Sequence, residues 1–208
     1  MRIIIDLDHS LIRTESLKAR MFELVKAFGV SKAVWDRTYA ATVKRNRRRY
    51  GYNTRVHGEK IARTLGKPEL SAQITSRLYA AISKTPNLVY KDAVRFLTRA
   101  SKAGIKIILL TRGDTAWQNR KIEVTRLRRF FDRVIITSKD KSTVLASRWR
   151  PKPHTYLLTD NAEEIQELRD LPVEIIQLVR SDGRYQRRAP GIPVVYNLNQ
   201  AWKIIKEI

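Results

Sequence analysis

The chain has 208 residues, enough for one domain with an insertion or for two small domains, and no cysteine, which excludes a disulfide framework, a zinc–thiolate centre and a cysteine nucleophile. Lys and Arg number 42 against 20 Asp and Glu, a formal charge of +22 that attracts polyanions of any kind and says little about fold. No stretch reaches the roughly 20 apolar residues of a membrane span. A strand follows Met1 at once, with no apolar leader, so a soluble cytoplasmic protein with no membrane partner is expected.

The first strand is predicted over Arg2 to Ile5, an apolar, β-branched run that ends abruptly in charge. Asp6 and Asp8 follow it. Residues two apart on extended backbone project to the same side, so both carboxylates can face one point beyond the strand end. Like charges so close repel unless a cation lies between them. A divalent metal with a phosphate is the simplest occupant, one carboxylate attacking and the other handling a proton. The competing reading is a pair of turn or helix-cap aspartates.

Residues 13–87 carry helical punctuation. Leu17, Met21, Leu24, Val25 and Phe28 fall at helical spacing before Gly29. Ser31 is placed to cap a second helix with Trp35, Tyr39 and Val43 on one face. A short third helix around His57 ends at Gly66, and a fourth follows Pro68 with Leu70, Ile74, Leu78 and Ile82 in one stripe. The second helix runs into KRNRRRYGY at 44–52, the densest charge in the chain. Arg47 and Arg48 there suit a phosphate clamp, with Tyr50 and Tyr52 available to stack on a base. A solvated helix end complementing the helix dipole is the alternative.

From Leu88 helices and strands alternate. A helix over 92–103 precedes an apolar strand at 105–110 that ends at Thr111. Thr115 and Gln118 form a capping-box pair opening a helix that runs to about Phe131. Strands follow at 134–137, 156–158, 173–179 and 193–196, with intervening helices to about Arg148 and over 163–171, and a closing helix at 199–208. Strands this apolar, joined by helices, predict a Rossmann-like parallel α/β sheet with helices on both faces, which binds ligands beyond the carboxyl ends of its strands.

At those ends stand Asp6 and Asp8, Thr111, Lys139 or Lys141, and Asp160, a set suited to phosphoryl transfer. With IIIDLD, ILLT, a lysine before a later helix and LLTDNAEE in this order, the chain resembles the haloacid dehalogenase superfamily of hydrolases. The resemblance spans nearly the whole core. It implies a core of residues 1–12 and 88–208 and a small all-α cap domain of residues 13–87. It also implies a Mg²⁺-dependent phosphatase of small phosphorylated metabolites or nucleotides. In that scheme Asp6 is the nucleophile, Asp8 the acid and base with a pKa above that of Asp6, and Thr111 a phosphoryl ligand. The lysine neutralises charge. Lys139, at the strand end, is favoured over Lys141, in the first turn of the helix. Asp6, Asp160 and the backbone carbonyl of Asp8 hold the metal, with Glu164 as a further candidate ligand. Ser10, Arg112, Arg47, Arg48 and Lys141 are the expected substrate contacts.

His9 and Ser10 stand where the family usually has Gly and Thr, and Glu164 can instead close a capping box with Asn161. Asp8 favours phosphate esters over halides, because a halide leaves without a proton. The basic loop at 180–188 follows a strand's carboxyl end and is expected near the site mouth. Two further readings stay open: a nucleic-acid-binding protein on this scaffold, suggested by the charge, and a catalytically weak relative, suggested by His9 and the single certain aspartate of the last motif.

Overall fold

A computed structural model describes residues 1–44, 51–148, 154–183 and 186–206. Arg47, Arg48 and Tyr50 of the basic run, and Arg184 and Tyr185 of the later loop, lie outside the described residues.

Strand β1 (Arg2–Ile5) leads into a helical insertion of α1 (Thr14–Val25), α2 (Lys32–Lys44), α3 (Thr54–Thr64) and α4 (Ser71–Ala80). Then follow α5 (Lys91–Lys102), β2 (Lys106–Arg112), α6 (Thr115–Val124), β3 (Arg133–Thr137) and α7 (Lys141–Arg148). The chain closes with β4 (Thr155–Thr159), α8 (Ala162–Leu168), β5 (Glu174–Leu178), β6 (Val194–Val195) and α9 (Leu198–Lys206). The described strands form one parallel sheet in the order β3-β2-β1-β4-β5-β6. The chain therefore winds outward in one direction from β1 through β2 and in the other from β4. The crevice beyond the ends of β1 and β4 is the topological switch point where such sheets bind ligands.

Side-chain alternation explains the two layers. Ile3 and Ile5 of β1 face the layer that includes Phe96, Leu97 and Ala100 of α5 and Ile205 of α9, while Ile4 faces Val144, Leu145, Ile165 and Leu168 of α7 and α8. Both faces of β1 are buried, which is why it reads as an unbroken apolar run. Among the described residues no helix is long and apolar enough to cross a membrane.

Most element boundaries fall within a few residues of those predicted, and two differences have clear causes. Helix α6 stops at Val124 rather than near Phe131, because Arg126 adopts a left-handed conformation (φ 55°) before a 3-10 turn at Leu127–Phe130. The α6 N-cap is Asp114, whose carboxylate accepts from Trp117 N at 2.9 Å, so the Thr115–Gln118 capping box does not form.

The two crossings between insertion and sheet pair with each other: Arg13 N donates to Leu88 O (2.8 Å) and Tyr90 N to Leu11 O (3.0 Å). The segment after β5 clamps them. Buried Arg180 donates to Asp92 (2.7 Å) and to the Ser10 carbonyl (2.8 Å), with its guanidinium 4.0 Å from the Tyr90 ring centre. Asp182 accepts from the Tyr90 hydroxyl (2.6 Å) and from Arg13 (2.8 Å). Neither Arg180 nor Asp182 lines the site cavity itself; they hold Ser10 and Arg13, neighbours in sequence of Asp8 and Thr14, which do. Replacing Arg180 by Ala strands the Asp92 carboxylate, half of a buried pair, and is expected to cost about 3–5 kcal/mol in denaturant unfolding. A loss under about 1 kcal/mol would place the clamp among minor surface contacts.

Candidate active site

Asp6, Asp8, Thr111, Arg112, Lys141, Asp160 and Glu164 line one cavity of about 210 Å³ between the sheet ends and the insertion. Its floor is a buried ionic cluster. Lys141 Nζ, at the first turn of α7, lies 3.0 Å from Asp6 and 2.7 Å from Glu164 on α8. Thr159 also donates to Glu164 at 3.3 Å. Burial pushes the Asp6 carboxyl up to about 6, against the pull of Lys141. Burial alone would lower Lys141, but Asp6 and Glu164 together hold it above its ordinary value. Burial would raise Glu164, and Lys141 brings it below the usual range instead. Asp160, at the end of β4, is raised by burial and then by the charge of Asp6, and its buried Oδ2 has no hydrogen-bond partner.

Lys139, favoured from the sequence, does not join this cluster. After β3 ends, the Thr137 hydroxyl accepts from Lys139 N (2.9 Å) in a tight turn that leaves the Lys139 side chain exposed. Two residues later α7 begins and aims Lys141 inward, where only 3% of its side chain is exposed. Ser10 also departs from expectation: it is buried outside the cavity, and its hydroxyl has no hydrogen-bond partner. Arg112 does reach the cavity and pairs with Asp140 at 2.6 Å.

Asp8 sits in a separate cage. Lys121 Nζ donates to both of its oxygens at 2.7 Å, Gln118 Nε2 at 3.0 Å and the Thr14 hydroxyl at 2.8 Å. Burial would raise Asp8, but the charge and hydrogen bonds of Lys121, with help from Gln118, bring it down to about 2. The expected pKa order is therefore reversed, with Asp6 above Asp8. Gln118 also donates to the Thr111 hydroxyl at 2.7 Å, tying the second and first motifs together. Thr14, Gln118 and Lys121 were missed from sequence. The available signal was two polar residues, Gln118 and Lys121, three apart on the buried stripe of α6 with Trp117 and Ile122.

His9 adopts φ 57°, the left-handed region that glycine enters freely, which explains why glycine is usual at this place in the family pattern. The insertion seats directly on the loop after β2. Asn53, the N-cap of α3, donates to Asp114 at 3.0 Å, and Gly51 (φ 145°) approaches so closely that a Cβ there would overlap the backbone of Gly113 and Asp114. Tyr39 and Tyr52 of the insertion and Trp117 of α6 form the opposite wall.

A family profile for haloacid dehalogenase-like hydrolases matches residues 1–174, and the chain belongs to that hydrolase family. No curated protein sequence matches it. Among solved structures it is similar to a Thermotoga maritima protein assigned as a β-phosphoglucomutase, with TM-score 0.71, 17% identity and 100% of each chain covered. It is similar to the L-2-haloacid dehalogenase of Xanthobacter autotrophicus, with TM-score 0.69, 15% identity and 100% and 98% coverage. A third likeness is YfnB of Bacillus subtilis, assigned as a HAD hydrolase and solved with magnesium, with TM-score 0.68, 11% identity and 99% and 98% coverage. At these identities the likenesses establish the fold.

Gly51→Ala tests the seating of the insertion. The added Cβ forces residues 51–54 away from the loop after β2, so amide hydrogen exchange over 51–54 and 113–117 is expected to rise at least about tenfold. Unchanged exchange would mean that the contact is not what holds the insertion down.

Proposed function

We propose that the protein is a Mg²⁺-dependent phosphatase that hydrolyses small phosphomonoesters through an aspartyl-phosphate on Asp6, with the insertion as its cap. The observation that carries this reading is the convergence of Asp6, Lys141, Thr111 and Asp8 on one cavity. Asp6 is the carboxylate placed to attack phosphorus, and Lys141 is the cation held against it. Thr111 accepts its Gln118 contact through oxygen, leaving its hydroxyl hydrogen to donate to a phosphoryl oxygen. In the first step an Asp6 oxygen bonds to phosphorus and the ester P–O bond breaks. In the second, water attacks phosphorus, the Asp6–phosphorus bond breaks and phosphate leaves.

The leaving alkoxide needs a proton. Asp8 faces the cavity as an anion, with the Lys121 ammonium on both its oxygens. The Asp8–Lys121 pair delivers one proton to the leaving oxygen, and the attacking water returns one to the pair. Replacing Lys121 by Met is expected to slow ethyl phosphate hydrolysis about a hundredfold or more, and p-nitrophenyl phosphate far less, since that anion leaves unprotonated. Equal losses on both substrates would remove the pair from proton delivery.

The donor set fits Mg²⁺. Asp6 and Asp160 are buried carboxylates whose pKa values burial raises, the charge of Asp6 adding to the rise at Asp160, and Asp160 Oδ2 is an orphaned oxygen. Among the described residues no three His, Asp or Glu side chains form a complete cage. Mg²⁺ needs only one or two carboxylates, with waters and substrate phosphate completing its shell. Asp6, Asp160 and the Asp8 carbonyl would hold the ion; Glu164 is already engaged by Lys141 and Thr159. When bound, the ion neutralises charge on the phosphoryl group.

Asp6 carries a folded pKa of about 6 against an ordinary 3.8, so ionising it costs folding stability that accumulates from about pH 3.8 and is complete a little above pH 6. A cation removes that cost. The gain in melting temperature on adding Mg²⁺ is therefore expected to be larger at about pH 7 than at about pH 5. The direct test is phosphate release from a panel of phosphomonoesters with and without Mg²⁺, beside Asp6→Asn. Metal-dependent release that disappears in the variant supports the reading, and full turnover by Asp6→Asn would end it.

The cavity of about 210 Å³ lies below the roughly 300–1,000 Å³ of sites for drug-sized ligands, which favours a small substrate over a nucleic-acid end.

A further inference from the structure

The wall of the cavity opposite the carboxylates is aromatic, and its construction says which part of each ring is offered to a ligand. Tyr39 and Tyr52 stack with ring centres 5.2 Å apart and planes 25° from parallel, and Tyr52 meets Trp117 at 5.6 Å. All three rings line the cavity that holds Asp6 and Asp8. Behind them lies a closed chain of hydrogen bonds. The Thr38 hydroxyl donates to the Val34 carbonyl at 2.8 Å, so its oxygen accepts from His57 Nε2 at 3.0 Å. His57 is fully buried, and burial lowers its pKa to about 3, so the ring is neutral. With Nε2 carrying the hydrogen, Nδ1 accepts from the Tyr52 hydroxyl at 2.7 Å.

The consequence is that Tyr52 turns its polar end away from the cavity and leaves its ring surface for contact. His57 is itself packed against Trp35 (4.7 Å between ring centres) and sets the ring of Tyr52 edge-on (5.4 Å, 83°). The chain therefore fixes the orientation of the aromatic wall before any ligand arrives. Leu17 and Met21 of α1 add apolar lining, and Lys18 between them holds its ammonium 4.9 Å from the Tyr39 ring centre. On this wall a polyol or sugar would set hydroxyls against ring faces that satisfy them poorly, at the cost of unmade hydrogen bonds. A flat ring can pack against the half-buried Tyr39 and Tyr52, where Trp117 behind them is buried and Trp35 backs Tyr39.

On these grounds we infer that the substrate's leaving group carries a single compact aromatic ring, held against Tyr39, Tyr52 and Trp117 while its phosphoryl group lies on Asp6. This rests on the phosphatase reading for the phosphoryl end and on the aromatic wall for the ring. Size sets the other limit: about 210 Å³ accommodates a phosphoryl group with one ring, in a site smaller than those that enclose drug-sized ligands. His57 is a positioning residue that acts through Tyr52.

The test separates ring recognition from turnover. Binding of benzylphosphonate and ethylphosphonate, neither of which can be hydrolysed at its P–C bond, is measured by calorimetry with Mg²⁺ present, beside hydrolysis of benzyl and ethyl phosphate. Benzylphosphonate is expected to bind about tenfold more tightly, the size of one good ring stack. Tyr39→Leu and Trp117→Leu should each shrink that ratio, and His57→Phe should shrink it through KM with kcat little changed. Preferential benzylphosphonate binding without hydrolysis of either ester would uphold the ring site and reject the phosphatase. Hydrolysis of both esters with equal phosphonate affinities would do the reverse. Failure to bind either phosphonate, or tighter binding of a nucleoside monophosphate than of benzylphosphonate, would overturn the single-ring assignment. So would an unchanged ratio in both wall variants that melt like the parent protein.

Discussion

The structure depends most on one buried cation held between two carboxylates. Lys141 bridges Asp6 after β1 and Glu164 on α8, and it does so at the point where the winding of the sheet reverses. Burying a single unpaired charge there would be prohibitive, and the cluster is tolerable only because each partner supplies the charge that another lacks. The balance remains acidic on the side of Asp160, whose inner oxygen lacks a partner and whose pKa is raised by burial and by Asp6. The same arrangement that anchors α7 and α8 to the sheet therefore creates a place that favours a further positive charge.

Asp8 illustrates how two neighbouring carboxylates acquire different properties. Asp6 shares its lysine with Glu164, whereas Asp8 receives both of its short lysine contacts from Lys121 alone, supplemented by Gln118 and Thr14. One carboxyl is raised and the other lowered. Helix α6 controls this difference, since it carries Gln118 and Lys121 and also Trp117 of the aromatic wall. Asp114, its N-cap, is at the same time the seat of the insertion through Asn53. The cage around Asp8, the aromatic wall and the seat of the insertion thus meet in one short helix and the loop before it.

The parallel sheet, the position of the insertion and most of the carboxylates were legible in the sequence because each is a local pattern. IIID, ILLT and LLTD are apolar runs ending in a side chain that lines the cavity, and strand periodicity reveals them directly. The lysine was harder. Lys139 and Lys141 are two residues apart, and the choice between them turns on where the tight turn ends and α7 begins, which the Thr137 hydroxyl fixes through the Lys139 amide. Gln118 was read as a cap because its spacing from Thr115 allows it; the competing cap, Asp114, wins with a 2.9 Å bond and frees Gln118 for the site. Lys121 belongs to no motif read from the chain, and only folding brings it to Asp8. Arg180 follows a strand's carboxyl end, as a site residue should, yet its bonds to Asp92 and to the Ser10 carbonyl make it a clamp.

In the proposed reaction Asp6 attacks phosphorus and water later attacks the same atom. A single turnover of enzyme in excess over ethyl phosphate, run in water enriched in heavy oxygen with Mg²⁺ present, shows which atom water attacks. The heavy oxygen is expected in the released phosphate, with none in the peptide containing Asp6. Heavy oxygen in the Asp6 carboxylate would mean that water attacks the Asp6 carbonyl carbon, and would contradict its attack on phosphorus.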